Sequence, residues 1–244
     1  MMNHDSSLSP AWHPSQADGC TPCLPLSPPR AALSGRAVAT GLCAFARWFT
    51  SLKVRGAEGL RALGAPTIYY ANHTSHADVL LLLAALPPDV RGSVRPVAAS
   101  DYWNRDPVRR FLAQEVFRCI AVSRLEVNRN ANPLDAMQRA LLAGQSLILF
   151  PEGTRGDGTR LLPFRSGIHR LLQATPAAQA VPVWIQNAHR ALPRGSWLPA
   201  PVPCTVTFGA PLHLSTGTPK AGVLAAASLA LEEVARECIP KCQC

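Results

Sequence analysis

Apolar positions along this chain follow two periods. Over residues 31–53, with about 100° allotted to each residue, Val38, Leu42, Phe45, Trp48, Phe49 and Leu52 fall within roughly 120° of arc. Arg36 and Arg47 fall on the opposite side. The pattern predicts an amphipathic helix with aromatics on its apolar face. It suits a helix lying in a membrane interface and equally a helix packed on the domain's own core. Further on, short β-prone runs alternate with helical ones. Residues 67–71, 94–99, 119–122, 146–150, 181–186 and 204–208 read as strands. Residues 78–86 (stopped by Pro87 and Pro88), 107–117, 132–143, 166–174 and 219–237 read as helices. Pro107 and Pro133 stand in first turns, where the missing N–H costs nothing, and Gly144 ends the helix that Pro133 opens. Strands alternating with helices predict an α/β fold, with a mixed, largely parallel sheet flanked by helices and the amphipathic helix at its N-terminal side.

Residues 1–30 carry six of the 23 prolines and little periodic pattern, and read as a disordered leader. The amphipathic helix at 31–53 follows, then a main domain at 54–215, then a C-terminal helix and cysteine-containing tail at 216–244. Apolar residues make up 48% of the 244 and charged residues 16%, enough for a substantial core and too apolar for wholesale disorder. The formal net charge is +9, which suits nucleic acid, an anionic membrane or a phosphorylated ligand without choosing among them. Only charge speaks for nucleic acid, since aromatics are 6% and no known reader module appears, so none is expected as a partner. Eight cysteines would suit a disulfide scaffold, but their positions do not. Cys20 and Cys23 lie in the leader, Cys238, Cys242 and Cys244 in the tail, and Cys43, Cys119 and Cys204 among apolar residues. No second ligand pair of standard spacing completes the Cys20–Cys23 pair, and no metal is expected. The leader has no apolar signal core, and the longest apolar run, 79–86, is too short to span a bilayer.

Chemistry enters with Asn72-His73-Thr74-Ser75-His76-Ala77-Asp78. On one continuous helix His73 and Asp78 would sit about 140° apart and could not touch. The block falls where a strand hands over to a helix, and a turn at Thr74 and Ser75 can bring the carboxylate back to the imidazole. In such a pair the carboxylate fixes the tautomer, so the other ring nitrogen can take a proton from a substrate hydroxyl. The plainer alternative is that both residues cap the helix and satisfy backbone groups.

A second block, Phe150-Pro151-Glu152-Gly153-Thr154-Arg155, follows the strand predicted at 146–150. Open α/β sheets bind ligands at the carboxyl ends of their strands. Gly153 lets backbone approach a ligand, Arg155 offers a planar fork for phosphate, and Glu152 can accept from a hydroxyl or hold the arginine. An ordinary surface turn with a solvated ion pair reads the same way.

Together, Asn-His-Thr-Ser with His-x4-Asp and, some 75 residues later, Phe-Pro-Glu-Gly-Thr-Arg resemble the phospholipid and glycerol acyltransferase family, whose best-known members acylate 1-acylglycerol 3-phosphate. Two weaker blocks agree: Arg118-Cys119-Ile120-Ala121-Val122-Ser123-Arg124, with Arg118 where the family has Gly, and Val181-Pro182-Val183. The resemblance implies that His73 is the general base and that Asp78 orients it. Arg124 and Arg155 would hold the acceptor's phosphate, with Glu152 and Gly153 shaping the same pocket. The Arg118 departure bears on the width of that pocket. Phe164-Arg165-Ser166-Gly167 resembles the family's next helix start, where Arg165 is either structural or a phosphate ligand.

The implied partners are a lysophospholipid acceptor, acyl-CoA or acyl carrier protein as donor, and an anionic membrane surface, with no cofactor. The implied location is the cytoplasmic face of the inner membrane. A phosphate-binding NTPase is set aside because Thr159 stands where Lys should follow Gly158, and a serine hydrolase because Gly-x-Ser-x-Gly is absent. The remaining rival is an inactive lipid-binding or membrane-scaffolding protein on the same fold.

Overall fold

A computed structural model describes residues 33–64, 66–103, 105–122, 133–158, 160–196, 198–214 and 217–238. The leader, Arg124, Cys242 and Cys244 lie outside the described residues. The elements run α1 (Leu33–Phe49), β1 (Lys53–Arg55), β2 (Thr67–Ala71), α2 (Asp78–Ala85), α3 (Pro88–Arg91), β3 (Val94–Ala99), α4 (Ser100–Trp103), α5 (Pro107–Phe111) and β4 (Ile120–Val122). They continue as α6 (Pro133–Leu142), β5 (Ser146–Leu149), α7 (Gly167–Ala174), β6 (Gln179–Gln186), α8 (Ala188–Ala191), β7 (Thr205–Phe208) and α9 (Lys220–Cys238).

The strands form one sheet in the order β1-β7-β6-β2-β5-β3-β4. Every neighbouring pair is parallel except β6 with β7. The sheet is therefore mixed and largely parallel, as the alternation of elements predicts. Central strand β2 pairs with β5 and β6 and is buried along its whole length. Its side chains alternate between two cores. Tyr69 and Ala71 pack with Leu81 and Leu82 of α2, Val183, Ile185 and Val206. Ile68 packs with Met137, Leu141 and Leu171 of α6 and α7, and Tyr70 with Ile168, Ala227 and Leu231. Each such aliphatic or aromatic side chain contributes about 1.5–3 kcal/mol by leaving water. The two cores hold the carboxyl end of β2 in place, and that end carries the first motif.

The helix predicted over 31–53 is observed as α1, ending at Phe49. The apolar periodicity runs on to Leu52, but the backbone does not. Ser51 adopts φ 43, the Thr50 hydroxyl donates to the Ala46 carbonyl at 2.7 Å, and Leu52 turns into the core. Lys53 then opens β1, which the sequence pattern had not separated from the helix. The face of α1 that packs inward is made of small residues: Gly35, Cys43 and Ala46. At Gly35 a Cβ would fall 2.6 Å from the Glu115 carbonyl oxygen, so only glycine allows that approach. Of the large apolar residues predicted for one face, Val38, Phe45 and Trp48 point outward, with Phe45 47% and Trp48 75% exposed, while Leu42 and Phe49 are half-buried.

The helix predicted at 107–117 is α-helical only to Phe111. It continues as one π turn, in which the Phe117 N–H donates to the Leu112 carbonyl at 2.8 Å. Arg118, just beyond, is one of three non-glycine residues with positive φ among the described residues, at 53°.

Candidate active site

The first motif is built by Asn72, at the carboxyl end of β2. Its side chain continues the ladder to β6: Nδ2 donates to the Ile185 carbonyl at 3.0 Å and Oδ1 accepts the Ile185 N–H at 2.7 Å. Residue 73 can then leave the sheet at its carboxyl edge with no backbone partner lost next door. Asp78 opens α2 and is fully buried. Its Oδ2 accepts the backbone N–H groups of Thr74 at 2.7 Å and Ser75 at 2.9 Å, and lies 2.8 Å from His73 Nδ1. The turn that brings the five-residue spacing together is thus made by the carboxylate itself. The helix itself has no side-chain cap, so Asp78 satisfies backbone groups of the turn before α2 and orients the imidazole with the same oxygen. Ser75 ties the turn to the far loop by donating its hydroxyl to the Leu192 carbonyl at 2.8 Å.

With Nδ1 facing Asp78, Nε2 is the nitrogen of His73 that can take a substrate proton. The ring stacks on Phe150, with centroids 4.2 Å apart and 23° between planes. The two motifs therefore meet at this stack, across 77 positions of chain. They also meet through Glu152. Its Oε1 accepts the His73 N–H at 2.8 Å and its Oε2 the Leu162 N–H at 3.0 Å, while the Gly156 N–H donates to the His73 carbonyl at 2.8 Å.

Glu152 is 4% exposed, and burial pushes its carboxyl above the usual range against the pull of those two N–H donors. It was expected to contact a hydroxyl or an arginine. The structure shows both its oxygens occupied by backbone, so it positions His73 and the following loop from beneath. Gly153, at φ 69°, lies against the Arg165 side chain.

A pocket of about 470 Å³ opens at the carboxyl edge of the strands. His73, Phe150, Gly153 and Arg155 line it, and so does Val122, two residues before Arg124. Three further arginines reach it that motif reading either left open or missed: Arg165, Arg105 and Arg194. Arg165 has a local signal in the Phe164-Arg165 step; Arg105 and Arg194 sit in loops with none. No Asp or Glu lines the pocket among the described residues. His76 stands at its edge and is held below the ordinary histidine range, first by partial burial and then by Arg155, His73 and Arg109. Among the described residues no cluster of three His, Cys, Asp or Glu is placed to hold a metal ion.

A His–Asp pair at the carboxyl edge of a parallel sheet, facing an arginine-lined pocket, defines a class. Residues 51–186 match the family model named Acyltransferase, and the chain belongs to that family. It is 27% identical over 172 residues to a 1-acyl-sn-glycerol-3-phosphate acyltransferase of Limnanthes douglasii, covering 68% of this chain and 56% of that protein. A namesake from Cocos nucifera is 28% identical over 160 residues, covering 64% and 48%. A lyso-ornithine lipid O-acyltransferase of Brucella abortus (strain 2308) is 30% identical over 105 residues, covering 43% and 36%. The chain thus spans about half the length of the curated relatives it matches, or less. The crystal structure of the 1-acyl-sn-glycerophosphate (LPA) acyltransferase PlsC from Thermotoga maritima shares the fold, with TM-score 0.66 and 20% identity over 84% of this chain and 81% of that one.

Proposed function

We propose that the protein moves a fatty acyl group from an acyl thioester to the free hydroxyl of a lysophospholipid, 1-acyl-sn-glycerol 3-phosphate, giving phosphatidic acid. The observation that carries this reading is the His73–Asp78 contact of 2.8 Å beside a pocket lined by arginines and, among the described residues, by no carboxylate. His73 Nε2 takes the proton of the acceptor hydroxyl as its oxygen attacks the thioester carbonyl carbon. Asp78 holds the ring and stabilises the imidazolium. The C–S bond of the tetrahedral intermediate then breaks, and the leaving sulfur recovers the proton from His73. The C–O bond that has formed is the new ester. No enzyme nucleophile is needed, because the attacking hydroxyl belongs to the substrate. Orientation of the two substrates supplies much of the rate. Arg155, with Arg124, holds the acceptor's phosphate.

Relatives named for 1-acyl-sn-glycerol 3-phosphate and for lyso-ornithine lipid leave two acceptor classes in view. Arginines without carboxylates favour a phosphate over a headgroup that carries an ammonium. The donor is acyl-CoA or acyl carrier protein. No helix among the described residues is long and apolar enough to cross a membrane. The outward face of α1, with Leu33, Val38, Phe45 and Trp48 exposed, supports interfacial docking on a bilayer, which this reading takes to be the anionic cytoplasmic side of the inner membrane.

The test is thiol release and lipid product from the purified full chain, with acyl-CoA and acyl carrier protein each offered 1-acyl-sn-glycerol 3-phosphate, glycerol 3-phosphate and lyso-ornithine lipid. Phosphatidic acid formed in step with thiol release is the expected result. Release only with lyso-ornithine lipid would move the acceptor to the other class. Silence with every pair would favour the scaffolding rival.

A further inference from the structure

One arginine of the pocket is seated differently from the rest. Arg165 is clipped to the second motif's loop, its backbone N–H donating to the Pro151 carbonyl at 2.8 Å. Its side chain crosses directly over Gly153: a Cβ there would fall 2.4 Å from Arg165 Nε and 2.5 Å from Cδ. Any larger residue at 153 would have to push the arginine aside, and would also meet the strain of φ 69°. The Nε lies 3.4 Å from the Glu152 carbonyl oxygen, a long and weak contact. Packing over the glycine therefore seats this side chain more than hydrogen bonding does. The motif loop to which Arg165 is clipped carries Arg155, ten positions earlier, and both arginines line the pocket. Two guanidinium groups thus line one space that no described carboxylate lines, a charge and donor pattern that matches a multiply charged anion.

We infer that Arg165 is a second phosphate-binding arm of the acceptor pocket, seated by the absence of a side chain at Gly153, and that it selects a phosphate monoester over an uncharged or zwitterionic headgroup. This rests on the lysophospholipid reading above. It also assigns Gly153 a cause: the glycine is there to let an arginine across, as well as to make a turn.

The experiment uses the full chain and compares 1-acyl-sn-glycerol 3-phosphate with 1-acylglycerol, which lacks the phosphate. Arg165→Ala is expected to raise KM for the phosphorylated acceptor about tenfold, the loss of one charge-assisted bond. Donor KM and turnover of 1-acylglycerol should not move. Arg165→Lys, which keeps the charge, should recover most of the loss. Arg139→Ala removes an equal charge from the exposed face of α6 and should change nothing. Gly153→Ala should reproduce the acceptor defect, and adding Arg165→Ala to it should cost little more. Equal damage to both acceptors, no rescue by Lys, or an effect of Arg139→Ala as large as that of Arg165→Ala would overturn the assignment.

Binding of sn-glycerol 3-phosphate, measured by direct titration, separates this idea from the activity it rests on. If the wild type fails to acylate 1-acyl-sn-glycerol 3-phosphate yet binds the headgroup about tenfold more tightly than Arg165→Ala, the proposed function fails and this inference stands. If wild type and variant bind it equally, or neither binds it, the inference fails.

Discussion

On the side of the pocket formed by residues 72–78 and Glu152, the side chains of Asn72, Asp78 and Glu152 accept hydrogen bonds from the protein's own backbone or donate to it. Asn72 replaces a rung of the sheet, Asp78 Oδ2 gathers two N–H groups and the imidazole, and Glu152 gathers two more N–H groups. On the other side, Arg155, Arg165, Arg105 and Arg194 bring long cationic side chains to an open space of about 470 Å³. The first side fixes one ring in one orientation and is buried; the second supplies charge to an open space. Substitutions should therefore differ in kind. Changes on the first side should strike kcat, and changes beneath it should strike stability too. Changes on the second side should strike KM.

The largest effects test the first side. His73→Ala is expected to lower kcat/KM by about 10²–10⁴-fold, the usual worth of a positioned base. The chain should still fold, with a modest drop in melting temperature, because the Phe150 stack and the contact to the buried Asp78 carboxylate go with the ring. Asp78→Asn should cost a similar factor by another route. An amide can still accept the Thr74 and Ser75 N–H groups with its oxygen. That oxygen, in the Oδ2 position, also still faces Nδ1, so the tautomer is kept, but the neutral amide no longer stabilises the imidazolium that forms when Nε2 takes the proton. The double variant should be little worse than either single one, since both remove one function. Purified Asp78→Asn with near-normal acyl transfer would break the division between the two sides at its base.

Glu152→Gln comes next. A Gln side chain has one acceptor oxygen where the carboxylate has two, so either the His73 or the Leu162 N–H loses its partner. A buried donor left unpaired costs about 1–3 kcal/mol. Thermal unfolding should show the loss, and kcat should fall while acceptor KM holds. A rise in acceptor KM with unchanged stability would instead put Glu152 on the ligand side, where sequence reasoning had placed it.

The backbone partners of Glu152 show what was legible in the sequence and what was not. Element types and the parallel sheet were readable because Thr67–Ala71 and its neighbours are short, apolar and separated by helical runs. His73 and Asp78 were readable because a five-residue spacing at a strand end admits few geometries. Residue type alone could not say that Glu152 faces backbone, since a glutamate beside an arginine looks like a ligand pair until Leu162 and His73 are folded against it. Arg194 was invisible for a similar reason: it stands 121 positions from His73 and reaches the pocket only through the β6–β7 crossover. The outward turn of Phe45 and Trp48 was also beyond periodicity, which identifies an apolar face but not the small-residue face of α1 that does the packing.

Arg155→Ala tests the charged side more gently. It should raise acceptor KM by about tenfold, with donor KM and melting temperature little changed. Equal shifts in both KM values would mean that the arginine serves the donor's phosphates as well, and the second side would then belong to both substrates.

The smallest expected effect concerns Arg118, which stands where the resembled family pattern has glycine. Its φ of 53° explains the glycine: a left-handed residue costs about 1–2 kcal/mol with a side chain and almost nothing without one. In this chain the arginine recovers part of that. NH1 donates to the Gly92 carbonyl at 3.1 Å, and its own carbonyl accepts from Arg95 Nε at 2.9 Å. Only the first of these bonds depends on the Arg118 side chain, and it is exposed. Arg118→Gly should therefore leave the protein equally stable or up to about 1 kcal/mol more stable in chemical denaturation. Acceptor KM should not respond. Arg118 precedes β4, whereas Val122, at the far end of that strand, lines the pocket. Four residues of extended chain place the two about 13 Å apart. A shift in acceptor KM on Arg118→Gly would show that the charged side extends to the opposite end of β4, and that the departure from glycine tunes the pocket rather than the fold.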